Sequence, residues 1–305
     1  MSEIADELIR GTFDMHVHTA PDVHRDRAQD DIDYAFSLRD AHAGGAVLKS
    51  HHSMTADRAA IARKIVPEVE MFGGLCLDAS VGGITPFAVE SALRFIPGLP
   101  LCKVIWMPTI HALEYGRTRH PNEPGYSVFD DRGALLPEVF EVIDLVRDAD
   151  AVLATGHLPF VEALAVVTAA AGRGAERIVV THVDAPYLGF DLDQRLELSK
   201  LAYLEHCFVQ TLTSNAGISK EEVAHSMRTV GIERCVIASD LGASTNVTPV
   251  EGMKLYIDLL LGAGLSADEI TRMARDNPVH LLGVTDRSRP VDGTAVHDES
   301  EGVTV

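Results

Sequence analysis

Two histidines one residue apart, His16 and His18, close the apolar run Thr12-Phe13-Asp14-Met15-His16-Val17-His18. Side chains on a strand alternate between faces with a period of two, so both imidazoles project from one side. Neutral imidazole is a common metal ligand, and histidine is a general base at physiological pH. A His-x-His pair alone would equally suit two hydrogen-bonded polar residues at a strand end. The rest of the chain changes that balance, because other short apolar runs end in the same chemistry. Lys49 precedes Ser50-His51-His52, His157 follows Gly156, His182 lies in Thr181-His182-Val183-Asp184, and Asp240 lies in Ser239-Asp240-Leu241-Gly242. Singly, each has a plain structural explanation, as a loop hydrogen bond, a cap or a lysine reaching for solvent. Jointly, four imidazoles, a lysine and a carboxylate at strand ends form a ligand set. Its mixture of nitrogen and carboxylate suits Zn, Mn or Fe rather than Ca or Mg.

These groups meet only if the elements carrying them converge. Short β-branched runs alternate with amphipathic segments along the chain, the pattern of βα units. The strands are expected at 12–18, 46–49, 69–77, 103–107, 151–155, 177–181, 208–212 and 235–238. The helices between and after them are expected at 31–42, 56–65, 86–95, 136–148, 160–171, 192–206, 220–230 and 249–261. Eight such units make a single-domain α/β fold, a closed (β/α)8 TIM barrel, whose strand ends gather at one mouth. An extra C-terminal helix is expected at 267–282, interrupted at Asn277-Pro278. The barrel domain then spans 1–284, and 285–305 reads as an acidic disordered tail. The rival fold, an open doubly wound sheet, would place a G-x-G-x-x-G loop after the first strand, and none is there.

The chain of 305 residues carries a formal charge of −19, which argues against nucleic acid or an anionic membrane as partner. A small-molecule substrate is the expected partner, and a homo-oligomer is compatible with the sequence. Four widely spaced cysteines sit mostly in apolar runs and show no C-x-x-C pairing, consistent with a reducing compartment. With no signal peptide or spanning segment discernible, a cytoplasmic location is the expectation.

His-x-His on the first strand, histidines ending the fifth and sixth, and an aspartate ending the eighth resemble the signature of the amidohydrolase superfamily of metal-dependent hydrolases, over about residues 12–265. The resemblance implies that His16, His18 and Asp240 hold a buried divalent metal, and His157 and His182 a second, more exposed one. Zinc is the leading expectation, with iron or manganese as alternatives. It further implies that Asp240 is catalytic, passing a proton from metal-activated water to the leaving group of an acyl bond: an amide, lactone, ester or thioester. Members often bridge two metals with a carbamylated lysine on strand four. Here that strand ends Trp106-Met107-Pro108-Thr109, and Lys49 on strand two is the substitute. The chain resembles the compact branch without a flanking β-sandwich. Rival readings are a mononuclear decarboxylase or hydratase, a phosphoesterase, and a metal- or ligand-binding protein without turnover.

Substrate contacts are expected from the loops. The longest, 109–134, carries His111, Tyr115, Arg117, Arg119 and His120 and reads as a lid. The loop after strand one adds Asp22, His24, Arg25 and Arg27, while His51 and His52 follow Lys49. In so acidic a chain, arginines on two flanking loops suit a carboxylate or phosphate on the substrate, unless neighbouring aspartates neutralise them.

Overall fold

A computed structural model describes residues 2–95 and 98–284, so the expected acidic tail lies outside the described residues. Eight parallel strands pair in sequence order to make the barrel. Helix α1 (Glu3–Leu8) precedes β1 (Phe13–Val17), α2 (Asp31–Asp40), β2 (Gly45–Leu48), α3 (Ala56–Ile65), β3 (Glu70–Cys76) and α4 (Pro86–Leu93). Then follow β4 (Cys102–Trp106), α5 (Leu113–Arg119), α6 (Pro137–Asp148), β5 (Val152–Ala154), α7 (Phe160–Gly172), β6 (Ile178–Val180) and α8 (Leu192–Ser199). The chain continues with β7 (Tyr203–Cys207), α9 (Lys220–Val230), β8 (Cys235–Ala238), α10 (Pro249–Gly262), α11 (Ala267–Thr271) and α12 (Asn277–Leu282). Nearly every strand residue is buried, because helices cover the outer face and packed side chains fill the interior.

The barrel closes where β8 meets β1. The Asp240 N–H donates to the His16 carbonyl at 2.8 Å, and the His18 N–H to the Leu241 carbonyl at 2.9 Å. Asp14, buried on β1, accepts from the Ser239 N–H at 3.0 Å. Burial raises the Asp14 pKa to about 6 against the pull of its hydrogen bonds to Ser239. Gly242 is required at this seam. Its φ is +134°, and a Cβ there would lie 1.8 Å from the His18 carbonyl oxygen. Sequence position 240 is thereby locked beside positions 16 and 18.

Helix starts near the mouth are fixed by their own side chains. Reciprocal Asp191/Gln194, Ser219/Glu222 and Thr248/Glu251 capping boxes open α8, α9 and α10.

The structure corrects the expected elements at four places. The seventh strand is 203–207, not 208–212, and its preceding helix stops at Ser199 rather than residue 206. Residues 208–211 instead form a 3-10 turn. The reason is that Glu205 and His206 are buried with polar partners, so this strand carries charge instead of an apolar run. The acidic start of the chain is helical (α1), capped by Ser2 and tied to α10 by an ion pair from Lys254 to Asp6 at 2.6 Å. The lid segment holds a helix of its own, α5, and is fastened by a bridge between Ala112 and Tyr126 and by Ser127 donating to Glu162 at 2.8 Å. The last helix breaks earlier than Asn277-Pro278, in a π-helical turn over Arg272–Asp276, with Pro278 in the first turn of α12.

Candidate metal centre and active site

β1, β2, β5, β6 and β8 deliver their C-terminal residues to one cavity of about 370 Å³. His18, Lys49, His157, His182 and Asp240 line it, and His16 lies directly beneath, fully buried. The ligand atoms of His16, His18 and Asp240 lie within 4.8 Å of one another. Asp240 Oδ1 is 3.1 Å from His16 Nε2 and 3.3 Å from His18 Nε2, and its Oδ2 is 3.6 Å from His182 Nδ1. His157 lies beside His182, the two rings tilted with centres 5.1 Å apart. Residues spread over more than two hundred positions therefore share one rim.

The backbone is strained at two of these positions. His182 and Asp240 have φ of +56° and +49°, in the left-handed region that most side chains avoid. The turn aims each side chain back over the barrel axis instead of along its strand. Gly156 does the same service before His157: its φ is +61°, and a Cβ would meet the Met107 carbonyl at 2.3 Å.

Electrostatics favour a bound cation. Burial holds the His18 and His157 pKa values well below normal and lowers that of His182 to about 3, so these rings are neutral. Burial and Lys49 oppose charge on His16, yet Asp240 and Glu205 outweigh them and raise its pKa. Asp240 is held ionised: burial resists, but His16 and His182 dominate. Nδ1 of His18 and of His157 are buried without a hydrogen-bond partner among the described residues. Neutral imidazoles grouped with an ionised carboxylate are donors that fit a divalent transition ion. His16, His18 and Asp240 could hold one such ion, and His157 with His182 a second.

Lys49 is 1% exposed, with Nζ 2.9 Å from His16 Nε2 and 5.4 Å above the Trp106 ring. As an ammonium it donates into the lone pair that His16 would give a metal. As a carbamate it would offer oxygen ligands at the same place.

Sequence reasoning missed the groups that orient this set. Glu205 Oε2 takes Nδ1–H of His16 at 3.1 Å and lies 3.4 Å from the His182 N–H and from Cys207 Sγ. Cys207 Sγ in turn lies 3.4 Å from His182 Nδ1. With Nδ1 so engaged, His16 presents Nε2 to the cavity, and Glu205 acts from the far side of the ring. Asp78, fully buried, accepts from the N–H groups of Thr109 at 2.9 Å and His111 at 3.0 Å, anchoring the lid at its root. A polar residue two positions past a strand is a common pattern, which is why Asp78 carried no signal.

The remaining expected contacts divide. His51, Arg25 and Arg119 line the cavity. His111 is bound to Asp78 and to Glu123 at 2.8 Å, making it part of the lid's framework rather than of the wall. His52 packs on His24 with ring centres 4.2 Å apart, beside the cavity instead of in it. Arg117 does not line the cavity, because two positions along the helix it faces away from Arg119.

The family of unknown function DUF6282 matches residues 11–205. No curated protein matches the sequence. Among solved structures, an amidohydrolase from Pseudomonas aeruginosa is similar at 12% identity and TM-score 0.63, over 92% of this chain and 97% of that one. A beta-aspartyl dipeptidase from Fervidobacterium islandicum-AW-1 is similar at 14% identity and TM-score 0.62, over 90% of this chain and 73% of that one. A 2,6-dihydroxybenzoate decarboxylase from Rhizobium is similar at 11% identity and TM-score 0.58, over 90% of this chain and 99% of that one. At such identities the likeness is one of fold. It bears out the (β/α)8 barrel read from the strand pattern, and the similar structures include both hydrolytic and decarboxylating enzymes.

Proposed function

The chain belongs to the family of unknown function DUF6282, and from the mouth of its barrel we propose that it is a metal-dependent hydrolase that cleaves an acyl bond of a small molecule. The single observation that carries this reading is Asp240, an ionised carboxylate within 3.6 Å of His16, His18 and His182 and open to the cavity. When bound, a divalent ion such as zinc polarises a carbonyl oxygen and brings the pKa of water toward neutrality. Asp240 is placed to accept a proton on the oxygen facing the cavity and to return it to a leaving amine, alcohol or thiol. His16 and His18 fix the orientation of that carboxylate, and Glu205 fixes His16. The Tyr115 ring, 4.6 Å from His157, and the Tyr187 ring, 5.6 Å from it, narrow the cavity above the site and limit water.

A screen of amides, lactones, esters and thioesters, before and after chelation, tests the proposal. Chelator-sensitive turnover of one class is the expected result, and no turnover of any class contradicts it. With Lys49 as a carbamate between two ions, Lys49→Met lowers bound metal from two equivalents toward one; unchanged metal content removes Lys49 from the bridge. One observation favours a second reading, a mononuclear decarboxylase or hydratase. The Lys49 ammonium at 2.9 Å from His16 Nε2 leaves room for a single ion on His18 and Asp240. Carbon dioxide release from an aromatic carboxylic acid added to the screen selects the decarboxylase, and water addition to an unsaturated acid selects the hydratase. We further infer a small-molecule role rather than one on nucleic acid from the net charge of −19, and a cytoplasmic location from four buried free cysteines. Among the described residues no helix is long and apolar enough to cross a membrane.

A further inference from the structure

Most arginines of this acidic chain are neutralised locally. Arg58 pairs with Asp31 at 2.8 Å, Arg147 and Arg173 with Asp144, and Arg195 with Asp184 at 2.6 Å. At the mouth, Arg27 is likewise paired with Asp22 at 2.7 Å. Arg25 and Arg119 differ. Both line the cavity, and among the described residues no carboxylate pairs with either. The nearby lid acid, Glu123, is already held by His111 and His120.

Arg119 is also held in place. Its guanidinium carbon lies 5.1 Å from the Tyr115 ring centre and 5.2 Å from that of Tyr187, and these two rings meet edge to face at 5.1 Å. Cation–π contact with two rings, together with a hydrogen bond to the Tyr115 hydroxyl, holds the guanidinium at the cavity wall with N–H donors to spare. The same Tyr115 ring is 4.6 Å from His157, so the guanidinium stands one aromatic side chain away from the candidate metal ligands. Arg27 adds to the built character of the wall: its side chain is 7% exposed, and its Nε has no hydrogen-bond partner among the described residues.

We propose that Arg119, seated on Tyr115 and Tyr187 and assisted by Arg25, binds a carboxylate of the substrate, whose carbon skeleton lies along the two tyrosine rings toward His157. The proposal rests on the reading of this mouth as an acyl-cleaving site and specifies its substrate class: a small acid whose reacting group is separated from its carboxylate by about the width of one ring. A planar, bidentate guanidinium matches a carboxylate in shape as well as in charge. Arg117, on the same helix but outside the cavity lining, has no part in it.

Titration calorimetry on the purified, metal-replete protein tests this without turnover, using benzoate, its neutral isostere benzamide, and phenyl phosphate. Benzoate is expected to bind about tenfold or more tighter than benzamide, the scale of one lost guanidinium–carboxylate contact at a part-open site. Arg119→Gln should abolish that preference, Arg119→Lys should keep part of it, and Arg117→Gln should keep all of it. Unchanged unfolding temperatures confirm that the surface variants fold. Equal binding of benzoate and benzamide, no binding of benzoate, or a preference that survives Arg119→Gln overturns the proposal. Tighter binding of phenyl phosphate than of benzoate overturns the carboxylate in favour of a phosphate. Acid recognition without any chelator-sensitive turnover would instead sink the hydrolase reading and leave this one standing.

Discussion

Consecutive residues of β7 make two buried carboxylate–imidazole pairs that face opposite ways. Glu205 points into the barrel and takes Nδ1–H of His16 at 3.1 Å; His206 points outward, its Nδ1 2.6 Å from Asp184 Oδ2. Outside, the pair is closed on itself. Burial opposes charge on His206, but Asp184 prevails and raises its pKa to about 10, while Arg195 and Ser226 complete the cluster. Inside, the His16 ring stands between Glu205 on one nitrogen and Asp240 and Lys49 on the other. The same chemical pair thus serves as an internal ion pair on one face and, on the other, as a support that turns a second nitrogen toward the cavity. What separates them is the number of competing charges on the far side of the imidazole, not burial.

Substitutions should split the two pairs. Asp240→Asn keeps hydrogen-bonding shape but removes the proton acceptor, so kcat should fall by about 10²–10⁴ with the fold intact, the usual range for a lost general base. Near-normal turnover would refute its role. Asp184→Asn leaves a buried imidazolium and Arg195 without their counter-charge and should destabilise the protein by about 3–5 kcal/mol in denaturant unfolding, with metal content unchanged. Loss of metal with unchanged stability would reverse the assignment of the two pairs. Glu205→Gln should do the opposite, weakening metal affinity about 10–100-fold at nearly constant stability.

The pH dependence of stability tests the outer pair by a second route. A histidine whose pKa rises from its unfolded value of 6.5 to about 10 on folding stabilises fully below 6.5, and that contribution is lost as pH climbs through 10. Wild-type unfolding temperature should therefore fall across this window more steeply than that of His206→Gln. Parallel curves would mean that His206 is not charged in the folded protein.

The sequence revealed the barrel and the residues that meet at its mouth because strand-end residues follow short apolar runs at His16, His157, His182 and Asp240. It hid β7 for a physical reason: Tyr203-Leu204-Glu205-His206-Cys207 buries charge on both faces, whereas the search for strands rests on apolar burial. Phe208 and Val209 then drew the strand five residues downstream. Arg117 and Arg119 looked equivalent because spacing on a short, irregular lid does not say which residue meets Tyr115 and Tyr187. Asp78 and Glu205 act through hydrogen bonds to residues 31 and 189 positions away, which no local pattern records.

The most direct measurement is anomalous diffraction at a transition-metal edge on crystals of the natively purified protein, paired with its metal content. The account predicts a stoichiometric ion between His16, His18 and Asp240, with any second ion toward His157 and His182. Protein replete with available metal yet showing no ion at that carboxylate, or one bound elsewhere, would contradict it.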